Sequence, residues 1–447
     1  MNITTIPDAP NSHPAAAQRA PLFPAGELAP FALVTVLFFL WGMSNNLTDI
    51  LVQQFRKSFE LSQLQAQLVQ TAVFFGYFCM ALPAAIAARR WGYKASILAG
   101  LCLFGTGMLM FWPAAVVGRY SLMLAALFVV GCGSATLETA ANPFIAQAGP
   151  SETSERRLNF SQSFNPLGTV TGVMIGALFI FSGIEFSASH IAELKTKNAY
   201  AAYLHTELMR VVPTYVVLGC IVLLLAAIIA CVRFPRITAQ EEALAQGSLV
   251  SEIAALLNAP QVRAAVFTQF CYCGAQVATW SAFIPYMKQY TGVSERTAAF
   301  FLTGNLVALF LGRVVSTVLM RWFSPRRMMG LYAVINIALV LVGVFHPGMF
   351  GAWAILATSF CMSIMFPTIF ALGVKDLGPR TKLASSLIVM SVIGAGIVPP
   401  IVGFIAKHTG SYARGYLAVA TCYVAVALFG YGSNITAVDP SAMPNVQ

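Results

Sequence analysis

A chain of 447 residues that is 58% hydrophobic and only 9% charged, with a net charge of +10, has too little charge to clothe a soluble protein of its size. That composition excludes a soluble enzyme. The positive balance, which in a soluble chain would suggest nucleic acid, fits short loops that orient a membrane protein, so no nucleic-acid partner is expected.

Residues 1–29 are rich in Pro and Ala and have no apolar core of a signal peptide, so they read as a disordered tail. From there, apolar runs of about 20 residues recur to the end of the chain, each long enough to cross roughly 30 Å of hydrocarbon. They fall near 30–56, 64–88, 95–114, 120–147, 157–184 and 211–233, then 260–288, 297–321, 328–346, 350–374, 383–407 and 413–433. The runs are too long and too evenly apolar for barrel strands. The expected fold is an all-α membrane protein of twelve transmembrane helices in two pseudo-symmetric six-helix halves, at 30–233 and 260–434.

A polar linker at 234–259 separates the halves, and its second part has the pattern of an amphipathic surface helix. A second long polar loop, at about 185–210, reads as a simple connection, and residues 435–447 form a short tail. The loops after even-numbered spans hold more Lys and Arg, among them Arg89, Arg90, Lys94, Arg156 and Arg157. This bias places both termini in the cytoplasm. The halves echo each other: RRWGYK follows span two and RWFSPRR follows span eight. Spans four and ten each carry an internal Pro (Pro143, Pro367) and leave through Gly-Pro.

Polar residues inside these runs are the chemical signal. Asp49, in the first span, is a carboxylate at membrane depth, where such groups are costly and usually face a bundle interior or a water-filled path. Asn45 and Asn46 share its face at helical spacing. Amides suit sugar hydroxyls because each offers a donor and an acceptor. In the fourth span Glu138 and Asn142 stand four apart, one turn before Pro143. A carboxyl buried there suits a group that loads and releases a proton, the alternative being a fixed structural acid. In the fifth span Asn159, Gln162 and Asn165 precede Pro166; Asn159 lies near a loop and reads as a cap, which leaves Gln162 as the candidate.

In the seventh span Gln269, Tyr272, Gln276 and Trp280 run along one face, and Asn305 adds an amide in the eighth. The aromatic rings could stack on a sugar or simply pack. The nine cysteines have neither metal spacing nor a disulfide framework. No H-E-x-x-H, G-x-S-x-G or phosphate-binding loop occurs, and the Gly-x-Gly at 131–133 lies within a span. Neither a metal nor an organic cofactor is expected. An intramembrane enzyme lacks a motif, and a sugar sensor lacks a soluble signalling domain.

The segments NNLTDIL (45–51), FFGYF (74–78), LETAANPF (137–144), QFCYCGAQVATWS (269–281) and FPTIFALG (366–373) closely resemble the fucose–galactose–glucose/proton symporter family of the major facilitator superfamily. The resemblance runs in order from about residue 31 to 430. It implies proton coupling through acids on spans one and four, matched by Asp49 and Glu138, with Asn46 and Gln162 as the amides beside them. LETAANPF is similar to the fucose branch, whereas Met365-Phe366 is more like the glucose/galactose branch. The implied protein is a monomeric bacterial inner-membrane importer, most simply for L-fucose with H+. The alternatives within the family are another hexose or Na+ coupling.

Overall fold

The computed structural model describes residues 28–61, 63–175, 179, 196–197, 199–234 and 249–432. The predicted tails lie outside the described residues, except for Leu28 and Ala29 at the start of the first helix. Among the described residues every regular element is helical.

The first half contains α1 (Leu28–Ser58), α2 (Gln63–Leu109), α3 (Phe111–Val117), α4 (Tyr120–Gln147), α5 (Ser154–Gln162), α6 (Phe164–Ile175), α7 (Tyr200–Met209) and α8 (Val211–Cys231). Helix α2 contains the second and third predicted spans, joined at Gly92, whose φ of 83° and ψ of 170° lie outside the helical region. Glycine accepts that conformation at little steric cost, which explains its place in RRWGYK. The predicted loop at 185–210 is not featureless, since the ten-residue α7 lies within it and is capped at Arg210.

The linker's second part is indeed helical, as α9 (Leu249–Asn258). Glu252 on α9 receives both guanidinium nitrogens of Arg89, at 2.5 and 2.8 Å, so the linker is clasped to the first half. The second half contains α10 (Pro260–Thr291), α11 (Glu295–Leu319), α12 (Pro325–Phe345), α13 (Met349–Met362), α14 (Met365–Val374), α15 (Thr381–Met390), α16 (Gly394–Thr409) and α17 (Tyr412–Tyr431). With α2–α3, α5–α6, α13–α14 and α15–α16 each treated as the sequence divides them, the passes number twelve, as predicted. Among the described residues eight segments are long and apolar enough to cross a membrane by themselves, and Leu68–Val117, at 50 residues, is two passes.

Two Pro residues mark breaks rather than kinks. Pro166 and Pro367 are each the third residue of a helix, α6 and α14, where a missing N–H leaves no intrahelical bond unmade. Pro367 is therefore not inside a continuous helix as the echo with Pro143 suggests; of that pair only Pro143 lies within an unbroken one. The breaks sit at Ser163 and at Ser363–Ile364.

Helix α4 is the centre of the first half, with every residue from Val130 to Ala146 buried. Gly131 and Gly133 permit this. A Cβ at Gly131 would stand 2.4 Å from the Val73 carbonyl oxygen, and one at Gly133 would stand 2.4 Å from the Phe104 nitrogen. The Gly-x-Gly motif is thus a site of close helix packing.

The end of α4 is closed by Arg157, which by sequence counts as an orienting loop charge. It is fully buried. Its Nε donates to Ile145 O at 2.8 Å and its Nη2 to Ala146 O at 2.5 Å. Its Nη1 reaches Thr153 Oγ1 at 2.9 Å. These carbonyls end a helix and have no partner within it. Replacing Arg157 with Met removes the donors and leaves buried acceptors unpaired, at about 1–3 kcal/mol each. The expected result is a melting temperature in detergent several degrees below that of the unmodified protein; an unchanged melting curve would show that the carbonyls find other donors.

The two halves meet through α2 and α4 against α15, α5 against α14, and α6 against α11. Near the face that carries the basic loops, Lys375 Nζ lies 3.1 Å from Glu155 Oε1, and Lys382 Nζ sits 4.9 Å from the Tyr93 ring centre. Slightly deeper, Asn159 Nδ2 donates to Thr368 Oγ1 at 3.1 Å. These contacts form a seal between the halves. Asn159 also donates to Glu155 O within α5, so it is not a helix cap.

Candidate functional site

Glu138 lies in the last third of α4, on a helix enclosed by its neighbours, and is 2% exposed. Among the described residues neither of its carboxyl oxygens has a hydrogen-bond partner at ordinary distance, although Tyr77 Oη lies nearby. Tyr77 is held in place by Trp41, whose Nε1 donates to Tyr77 Oη at 2.9 Å. Cys273, from the opposite half, lies close to it. Burial without partners is expensive for a charge and tolerable for a neutral acid. Glu138 thus stands as a buried acid with no counter-charge among the described residues.

One turn further along α4, Asn142 Oδ1 accepts from Gln162 Nε2 at 2.9 Å. The Asn142 amide nitrogen is buried and has no partner. A donor left unpaired in this way is available to a hydroxyl. The structure therefore brings together Glu138, Asn142 and Gln162 from two spans of one half.

On the opposite half, Trp280 Nε1 donates to Ser359 Oγ at 3.2 Å, and Ser359 Oγ donates to Asn305 Oδ1 at 2.8 Å. Three spans are linked by this relay, and Trp280 and Gln276 remain half-buried. Tyr272 is completely buried, donates to Met362 O at 3.1 Å and meets the Phe366 ring edge-on, so in this state it packs. The Gln269 carbonyl oxygen is buried and unpaired.

Asn45, Asn46 and Asp49 belong to α1, but their side chains lie outside the described residues. The helix itself places Asp49 in the last third of α1, which runs opposite to α4. Asp49 lies 22 residues into the 31-residue α1, and Glu138 lies in the last third of α4.

Two participants are not among the residues singled out from the sequence. Tyr77 is the polar residue in FFGYF. Arg313 is a cation inside the eighth span, 4% exposed and about two turns from the end of α11. Its signal is the one that marks the carboxylates, a charge within an apolar run. The nine cysteines are all free, and no cluster of metal-ligating residues occurs among the described residues.

A twelve-pass bundle of two six-helix halves with a polar cluster between them defines a membrane transporter, not an enzyme. The sequence profile of the Major Facilitator Superfamily matches residues 33–388. The chain is 39% identical over 414 residues to the L-fucose-proton symporter of Escherichia coli strain K12, covering 92% of this chain and 94% of that one. It is 32% identical over 407 residues to the glucose/galactose transporter of Brucella abortus, covering 90% and 93%. The crystal structure of the transporter FucP in the outward conformation superposes with a TM-score of 0.83 at 39% identity, over 90% of this chain and 97% of that one. The proton:xylose symporter XylE, at 14% identity and a TM-score of 0.62, shares the fold. The chain belongs to the major facilitator superfamily.

Proposed function

We propose that this protein is a proton-coupled sugar symporter of the bacterial inner membrane that imports L-fucose by alternating access. The observation that carries the reading is Glu138: a buried carboxyl with two unpaired oxygens, beside the partly unpaired Asn142–Gln162 amides, in a chain with the identity given above to an L-fucose-proton symporter. The basic face is cytoplasmic, with both termini on that side. The seal there and the likeness to FucP in the outward conformation support an outward-facing state.

In the cycle, Asp49 and the Asn45 and Asn46 amides on α1 receive the sugar and proton from outside. Asn142, Gln162, Gln276, Trp280 and Asn305 bind hydroxyls and the sugar ring, with Tyr272 backing them. Protonation of Glu138 removes a charge that would resist enclosure, and the halves then rock to open the cytoplasmic side. Both halves reside on one chain, which is consistent with a monomer, and no cofactor takes part. The 1–29 and 435–447 tails, the 234–259 linker and the two halves between them are the proposed domain divisions.

A second reading, transport of glucose or galactose, is favoured by Met365 and Phe366. Both place apolar groups in the tenth span, and the glucose/galactose transporter is also a relative. Competition by a panel of sugars against labelled L-fucose in proteoliposomes decides between them: L-fucose is expected to compete best, and a stronger glucose or galactose effect would replace it. Adding L-fucose to cells that make the protein is expected to turn the medium alkaline, with or without sodium. A shift that requires sodium would overturn proton coupling.

A further inference from the structure

Arg313 raises a physical question: a guanidinium is buried inside a membrane bundle, and no carboxylate pairs with it among the described residues. Its partners are main-chain oxygens. Nη1 donates to Gln162 O at 2.8 Å and Nε donates to Ser363 O at 2.5 Å. Gln162 is the last residue of α5, in the first half, and Ser363 is the C-cap of α13, in the second. These are the two breaks that precede Pro166 and Pro367.

The location makes the arrangement intelligible. Each break frees carbonyls that the next turn would have bonded. The C-terminal end of a helix also carries partial negative charge, which favours a cation. Two such ends, one per half, converge on one planar fork of donors. Lysine, a point charge on a flexible stem, does not reproduce that fork.

We propose that Arg313 is a positioning residue that tethers the two halves inside the bundle, joining the break below the Asn142–Gln162 pair to the break in the tenth span. It lies between the amide pair and the seal formed by Asn159–Thr368 and Glu155–Lys375. Displacement of Gln162 by an occupant of the site is thereby transmitted to the seal. The uptake part of this inference rests on the transport reading above; the sealing part does not.

The test replaces Thr368 with Cys as a reporter and compares Arg313→Lys and Arg313→Gln in that background. Variants are first required to purify as a single species. Alkylation of residue 368 by a soluble maleimide, added from the basic face, is followed by peptide-resolved mass spectrometry. The tether predicts a rate about tenfold higher with Gln, and intermediate with Lys, a size typical of coupling between sites. In parallel, exchange of labelled for unlabelled L-fucose is expected to fall less than uphill accumulation, because a leaky seal dissipates the gradient. Equal alkylation in all three proteins overturns the proposal. So does a parallel loss of exchange and accumulation with alkylation unchanged. If the parent protein moves no sugar, the transport reading fails while the alkylation comparison still decides the role of Arg313. If neither variant purifies, Arg313→Met in the same background, assayed in native membranes by the same alkylation, decides the question: faster alkylation supports the tether and an unchanged rate overturns it.

Discussion

Glu138→Gln is expected to abolish concentrative uptake while leaving exchange of sugar across the membrane measurable. One proton moving down 100 mV supplies about 2.3 kcal/mol, enough for a roughly 50-fold sugar gradient. A glutamine has nearly the shape of the neutral acid and cannot give up the proton. The variant should therefore equilibrate sugar without accumulating it, and its exchange rate should lose the dependence on outside pH shown by the parent. The structure supports this outcome because, among the described residues, the carboxyl oxygens have no hydrogen-bond partner that the amide would have to preserve. A mutant that still accumulates sugar about 50-fold under the same 100 mV would remove Glu138 from the coupling mechanism.

Gln162→Leu is expected to weaken sugar binding about 10- to 100-fold, the size of one or two lost hydrogen bonds in a buried site. The Gln162 amide holds Asn142 Oδ1, so its loss leaves both ends of that buried amide unpaired. Asn142→Leu should cost a comparable amount. The double variant should cost less than the sum of the two, because the partners are in direct contact. Binding measured by competition in detergent checks the cycle, and strict additivity would show that the two amides act independently.

The spans are legible because apolar length is a local property. Periodicity locates α1, α4 and α10 and places Glu138 four residues from Asn142 on one face. The partner of Asn159 is not legible: Thr368 lies 209 residues away, and the two meet only when the halves assemble. Arg157 passes for an ordinary loop charge because sequence position does not reveal burial. Arg313 is different, since a charge within FLGRVVST is visible without a structure. Its want of a carboxylate partner among the described residues is what the fold adds. Pro166 and Pro367 announce irregular backbone, but only the folded chain distinguishes a break at a helix start from an internal Pro such as Pro143.

The acceptors of Arg313 belong to the peptide backbone, and every amino acid supplies that oxygen. Side-chain substitution at 162 or 363 therefore leaves both acceptor oxygens in place, whereas substitution of Arg313 removes both donors at once. The side chains at those two positions are free to drift, and the fragility of the proposed connection is concentrated in a single codon.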